Sequence, residues 1–452
     1  MPPPAEDPRT WLTTLEQFGI KLGLSGIQTL CAELGHPERR IRAVHVAGTN
    51  GKGSVAAMVD EALRAQGYRV GRYTSPHLVR LEERVSIAGR PVRPAVLDDA
   101  LDTVRRAIGP LLASRGLDAH PTFFEVTTAA AFLLFAGSET DLAVVEVGLG
   151  GRFDATNVIQ PLAAAITSIA LDHEQHLGHA IESIAFEKAG IVKPAVPAII
   201  GAMTEAARTV IRRVCEERHA PLHDAASECR VEREREAGRT RLRLTTPLRR
   251  YPPVTLALRG DHQAANAAVA VRLLEVLNAQ GVAVCEAAIV AGLTRARWPG
   301  RLDLVDAGAG RQVLIDGAHN PAGALALASY IESEWPAGLP LVFGAMRDKD
   351  LAGMLRPLAR VARPLIVTTA PGARAAAAET IARTARQETA ADLLVCPEVG
   401  EALAEAWARA PRIAAAGSLY LAGRVLELLG RDPANEGDAV GDIALPGAGD
   451  RP

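Results

Sequence analysis

Apolar residues fall in short continuous runs separated by amphipathic stretches along most of this chain. Runs at 42–47, 69–74, 142–147, 163–170 and 196–200 read as strands, and several lack polar alternation, as strands covered on both faces do. Between the first two, Val55, Met58, Val59, Ala62 and Leu63 recur at helical spacing. This alternation predicts a doubly wound, mainly parallel α/β sheet. Residues 228–258 break the pattern. Arg241-Leu242-Arg243-Leu244 alternates charged and apolar side chains, with Pro247 and Pro252-Pro253 nearby, and predicts antiparallel hairpins at an edge. A helix is expected over 262–280, with Ala265, Ala268, Val269, Leu273 and Val276 on one side.

Trp298-Pro299-Gly300 reads as a turn between domains. Beyond it the alternation restarts, with strands near 311–316, 340–343, 364–369, 393–395 and 412–416 and a last helix at about 418–429. Asn320-Pro321 has the form of an N-cap followed by proline at the first helical position. A chain of 452 residues is too long for one core. The expected organisation is a P-loop doubly wound domain over 1–297 and a second, smaller Rossmann-like α/β domain over 298–430. Residues 431–452, rich in Gly, Pro and Asp, are expected to be a disordered tail.

Composition narrows the class. A formal charge of -2 gives no reason to expect nucleic acid as a partner. No uncharged apolar run is long enough to predict a membrane span. Met1-Pro2-Pro3-Pro4, followed by Glu6 and Asp7, lacks the basic and apolar regions of a secretory signal. The five cysteines, at 31, 215, 229, 285 and 396, show no metal-binding spacing and suit a reducing compartment. A cytoplasmic enzyme is the expectation.

Gly48-Thr49-Asn50-Gly51-Lys52-Gly53-Ser54 lies between the first strand and the first strongly periodic helix. Glycines let successive N–H groups turn toward one point, and the helix N-terminus adds its positive dipole end. Lys52 offers a cation to phosphate oxygens and Ser54 a hydroxyl to Mg²⁺, so a nucleoside triphosphate is expected here. The loop is shorter than the common phosphate-loop pattern and inserts Gly53; a plain surface turn is the alternative.

In open parallel sheets, ligands sit beyond the carboxyl ends of strands. Ser75, Glu146 and Asp172-His173 fall at such ends and would converge on the loop. Ser75, Glu146 and His173 can hold divalent cations against the phosphates, although Mg²⁺ prefers oxygen to the histidine nitrogen. Ser75 before proline also suits a plain turn. Glu146 inside an apolar run is either functional or half of a buried ion pair. His173 and His176, three apart with no third ligand in view, are a weak zinc signal, and His176 is expected to be exposed or a cap. Lys188 on a helix face is either solvated or, near metal and phosphate, a desolvated amine.

Several strings occur together in order: His45 to Ser54, Thr74-Ser75-Pro76-His77-Leu78, Thr122-Phe123-Phe124-Glu125, Glu146 to Asn157, Leu171-Asp172-His173, Glu187-Lys188-Ala189-Gly190-Ile191, Trp298-Pro299-Gly300-Arg301, and Asp316-Gly317-Ala318-His319-Asn320. Through them the chain, from about 15 to 430, resembles the folylpolyglutamate synthase and dihydrofolate synthase family of Mur-ligase-like, ATP-dependent amide-forming enzymes.

The resemblance implies roles. Gly51 to Ser54 would hold the phosphates of ATP, with Asn266 and, from the second domain, Arg301 and Asp316 also on the nucleotide. Ser54, Ser75, Glu146, His173 and Lys188 would surround Mg²⁺, in two sites, with Lys188 carbamylated. Lys52, Lys188, Arg301 and His319 would serve the reaction. Phe124, Glu125, Phe153, Asp154 and Ala155 would line the pterin site, and Ser418 the glutamate side. The substrates implied are dihydropteroate or a reduced folate and L-glutamate, with a monomeric enzyme. The segment Gly23-Leu24-Ser25-Gly26-Ile27 departs from the family's usual acidic-Arg pair there, so the preferred acceptor stays open. Two rival readings are a Mur-type ligase acting on a cell-wall precursor and a nucleotide-binding switch without ligase chemistry.

Overall fold

The computed structural model describes residues 7–434 except 20, 22, 390 and 391. Most of the expected tail, from 435 onward, lies outside the described residues. Among the described residues eleven strands precede the Trp298 turn: β1 (Ala43–Ala47), β2 (Val70–Tyr73), β3 (Val85–Ile87), β4 (Arg90–Pro91), β5 (Leu142–Glu146), β6 (Pro161–Ile166), β7 (Ala198–Ile200), β8 (Leu222–Asp224), β9 (Arg230–Glu236), β10 (Arg239–Thr245) and β11 (Val254–Thr255). Six described strands follow it: β12 (Asp303–Gly308), β13 (Arg311–Asp316), β14 (Leu339–Phe343), β15 (Ala362–Val367), β16 (Leu393–Val395) and β17 (Arg412–Ala416).

The large sheet has the order β4-β3-β2-β5-β1-β6-β7-β8, parallel from β2 to β8. Alternate residues of each strand enter opposite layers, as the pleat requires. Val44, Val46, Leu142 and Val144 pack with the helices Lys52–Ala65 and His262–Ala279. Ala43, Ala143 and Val145 face the layer containing Phe123–Gly137. Both faces are therefore covered, and the continuous apolar runs follow from that. After β1 the chain leaves toward β2, and after β5 it crosses to β6, so the connections diverge at the carboxyl end of β1, which sits between β5 and β6. That is the switch point where such sheets open a crevice.

The β11-β10-β9 sheet is antiparallel, as the charge alternation predicts. The remaining sheet, β12-β13-β17-β14-β15-β16, is parallel except for β12. It too is covered on both faces, Leu341 and Phe343 entering one core and Val342 the other.

One strand boundary needs correction. The run at 163–170 leaves the sheet after Ile166. The Thr167 and Ser168 hydroxyls instead donate to the Asn50 carbonyl at 2.6 and 3.0 Å, so these residues buttress the glycine loop rather than extend the ladder.

Candidate active site

The loop after β1 takes its shape from two glycines in the left-handed region, Gly48 (φ 143°) and Gly51 (φ 87°). Side chains are also sterically barred there: a Cβ on Gly48 would strike the Thr167 hydroxyl, and one on Gly51 the Asn266 amide. The helix Lys52–Ala65 starts directly after it, so its unpaired N–H groups face the crevice. Lys52 Nζ donates to the carbonyls of Gly48 (3.1 Å) and Thr49 (3.3 Å), bending back over its own loop.

A cavity of about 360 Å³ opens over this loop. All seven residues from Gly48 to Ser54 line it, as do Ser75, Glu146, His173 and Lys188. The second sheet closes its far wall with Arg301, Asp316 and His319. Asn266 completes the set. The nucleotide, metal and reaction positions named from the sequence thus meet in one cleft.

Its electrostatics are unusual. Glu146 is 4% exposed, and its Oε2 has no hydrogen-bond partner. Burial pushes its carboxyl up to about 7, against the opposing pull of Lys52 and Arg301. Lys188 Nζ donates to the same Gly48 carbonyl at 2.9 Å. Burial, reinforced by repulsion from Lys52, lowers its ammonium to about 7. An orphaned buried carboxylate oxygen beside serine hydroxyls is an oxygen donor set that a divalent cation satisfies, and a lysine that loses its proton readily adds little opposing charge there. Among the described residues no group of three His, Cys, Asp or Glu side chains is placed to hold a metal ion, so phosphate and water oxygens would have to supply the rest of its shell.

The two sheets are bridged across the cleft mouth. Asn50 and Asn320 exchange side-chain hydrogen bonds at 3.3 and 3.0 Å. Asn320 Nδ2 also donates to Asp172 (3.1 Å), and Lys349 Nζ pairs with Asp172 at 2.6 Å. His319 donates Nδ1–H to the Gly317 carbonyl at 2.7 Å and brings Nε2 to 3.4 Å from Asp172. Burial alone would raise the Asp172 carboxyl, but His319, His173 and Lys349 hold it well below the usual carboxylate range. Asn320 also caps its helix through Gly323 N, as expected. Asp316 carries a second duty, accepting from the N–H groups of Leu302 and Ala318 at 2.8 Å each and so fixing the turn that presents Arg301.

Six residues do not line this cleft: Phe124, Glu125, Phe153, Asp154, Ala155 and Ser418. Glu125 closes a capping box with Thr122 at the start of its helix. Asp154 accepts from Leu149 N (2.8 Å) and Thr156 N (3.0 Å), tying down the glycine-rich turn after β5. Ser418 is the N-cap of the last helix, accepting from Leu421 N. Phe153 lies under the Arg152 guanidinium, 4.2 Å from its carbon, and Ala155 is buried. Phe124 backs onto Gly148, which does line the cleft. Lys349 and Gln263 are among the residues that escaped the sequence reading. Lys349 follows the end of β14, the same strand-end signal that picked out Ser75 and His173. Gln263 carries no signal in the sequence; only the helix packing places it on the loop.

Along most of its length the chain is similar to known proteins. The Mur ligase middle domain matches residues 46–274, and the Mur ligase glutamate ligase domain matches 300–421. The dihydrofolate synthase/folylpolyglutamate synthase of Bacillus subtilis is 38% identical over 365 residues, 80% of this chain and 84% of that protein. Mycobacterium tuberculosis folylpolyglutamate synthase complexed with ADP superposes with a TM-score of 0.87 at 34% identity, covering 94% of this chain and 100% of that one. An Escherichia coli structure in complex with DHPP and ADP gives 0.83 at 32% identity, covering 94% and 98%. A P-loop α/β sheet, a second α/β unit and this similarity across nearly the whole chain lead to one conclusion: the chain belongs to the dihydrofolate synthase/folylpolyglutamate synthase family of ATP-dependent ligases.

Proposed function

We propose that this protein joins L-glutamate to dihydropteroate and to reduced folates, activating the pterin substrate's carboxylate with the terminal phosphoryl group of ATP. The observation that carries this reading is the meeting of the phosphate loop, Glu146, Lys188, Arg301 and His319 around one cleft walled by both sheets. The carboxylate attacks the γ-phosphorus, ADP leaves, and an acyl phosphate forms. The glutamate amine then attacks the acyl carbon and phosphate departs.

Both steps bring anions together. Lys52 swings from its loop carbonyls onto the β- and γ-phosphate oxygens, and Arg301 reaches the transferring group from the opposite wall. Ser54, Ser75, Glu146, His173 and Lys188 would hold Mg²⁺ in two sites. The metal, when bound, offsets phosphate charge. An amine held near 7 has a neutral fraction at physiological pH, the form that takes up CO₂, so Lys188 is proposed to be carbamylated and to enter the site as an anion. His319 faces the incoming amine beside Asp172. Asn266 and Asp316 support the nucleotide. Phe124, which backs onto Gly148, and Glu125, Phe153, Asp154 and Ala155 form the proposed pterin side, and Ser418 the glutamate side.

We assign residues 1–297 and 298–430 as the two domains, and a monomer as the working unit. Closure of two domains keeps water from the acyl phosphate. The test is substrate dependence: sustained, multiple-turnover ADP formation should require a pterin acid and L-glutamate together. ADP release from nucleotide alone at the same rate would indicate a hydrolytic switch instead.

A further inference from the structure

Gln263 is 1% exposed and sits in the first turn of the helix His262–Ala279. Its side chain touches three functional groups at once. Nε2 donates to Ser54 Oγ at 3.2 Å. The same nitrogen lies 3.2 Å from His262 Nε2, which must accept, because a carboxamide nitrogen only donates. Oε1 accepts from Asn266 Nδ2 at 2.9 Å. Asn266 Oδ1 in turn occupies the space over Gly51 where any side chain would stand. The carboxamide therefore reaches the phosphate loop on both sides of Lys52, directly at Ser54 and through Asn266 at Gly51.

This wiring has a chemical consequence at Ser54. A serine hydroxyl has two acceptor lone pairs and one proton, and its rotor is free unless something fixes it. The Gln263 N–H occupies one lone pair and thereby selects the rotamer. The other lone pair is then left to meet a cation already aligned. We propose that Gln263 is a positioning residue for the nucleotide's metal: it pre-orients the Ser54 hydroxyl and couples it to Asn266, so that metal and nucleotide bind together rather than separately. This rests on the reading above that Ser54 ligates a divalent cation. His262, at the other end of the relay, lines the same cavity as Arg301 and Asp316, so the relay spans from loop to second sheet.

The test is calorimetric titration of ADP into the full chain with Mg²⁺ and with a chelator, which gives the ratio of the two affinities. Ser54→Ala should lower that ratio toward one. Gln263→Met, similar in size but without polar hydrogen bonds, should lower it about tenfold, the scale of one hydrogen bond to a well-placed group. In the Ser54→Ala background, Gln263→Met should change it by less than about twofold, because residues acting through one another are not additive. A merely structural Gln263 would instead weaken ADP in the chelator, or add its full effect to that of Ser54→Ala. Gln263→Asn, one methylene too short to reach Ser54, should lose the ratio as well and covers the case in which Met destabilises the helix. An unchanged ratio in either folded Gln263 variant, with Ser54→Ala still losing it, overturns the proposal alone. An unchanged ratio in Ser54→Ala overturns the metal assignment beneath it.

Discussion

Glu146 should weaken the ligand-free fold, and replacing it with glutamine should strengthen that fold in a pH-dependent way. Burial raises its carboxyl from an ordinary 4.5 to about 7. The unfolded chain therefore releases this proton before the folded chain does, and stability falls as pH rises between the two values. At one pKa unit per ~1.4 kcal/mol, the full shift corresponds to about 3 kcal/mol of lost stability at about pH 8, where both states are largely ionised. At about pH 5.5 the folded carboxyl is still protonated and the loss is only about 1 kcal/mol. Glu146→Gln keeps the shape without the charge. Chemical denaturation of the ligand-free protein should show it more stable than the parent, with the gain larger by about 2 kcal/mol at the higher pH. The same substitution should abolish the Mg²⁺-dependent part of ADP binding. Equal gains at both pH values, or a loss at both, would show that the carboxylate is paired rather than orphaned.

Other substitutions follow from the same cleft. Lys52→Ala should cost far more than tenfold in ligation, a loss beyond ~1.4 kcal/mol of transition-state stabilisation, while circular dichroism shows an intact fold. Retained activity would remove Lys52 from the phosphates. Arg301→Ala should lower kcat more than it raises the KM for the pterin acid, and the reverse split would move Arg301 to the substrate side. Intact-mass measurement under non-acidic conditions should find one added CO₂ that vanishes in Lys188→Ala, and full activity of that variant would take Lys188 out of the mechanism.

The sequence made the layers legible because two-sided burial writes itself as unbroken apolar runs. The runs at 42–47, 142–147 and 412–416 became β1, β5 and β17 within a residue or so. β3 and β4 were missed because each is too short to carry a period, and β12 because Asp303 and Asp306 interrupt its apolar residues at an edge. The 163–170 run was read too long because the side chains of Thr167 and Ser168 suit a strand as well as a buttress for Asn50. In the cleft, strand-end chemistry found Ser75, Glu146 and His173. It had no means of finding Gln263, whose part depends on a helix more than two hundred residues downstream of Ser54 packing onto the loop. Glu125, Asp154 and Ser418 show the converse: each sits in a family motif yet makes a capping hydrogen bond, and the Thr122-to-Glu125 spacing is itself that of a capping box.

Transfer of the terminal phosphoryl group to the acid is the claim most directly open to measurement. Dihydropteroate carrying heavy oxygen in both carboxylate positions should be turned over with ATP and L-glutamate and the released phosphate analysed by mass. If an acyl phosphate forms, one labelled oxygen stays in the new amide and the other leaves in the phosphate. Unlabelled phosphate released in step with product would contradict activation of the acid by ATP.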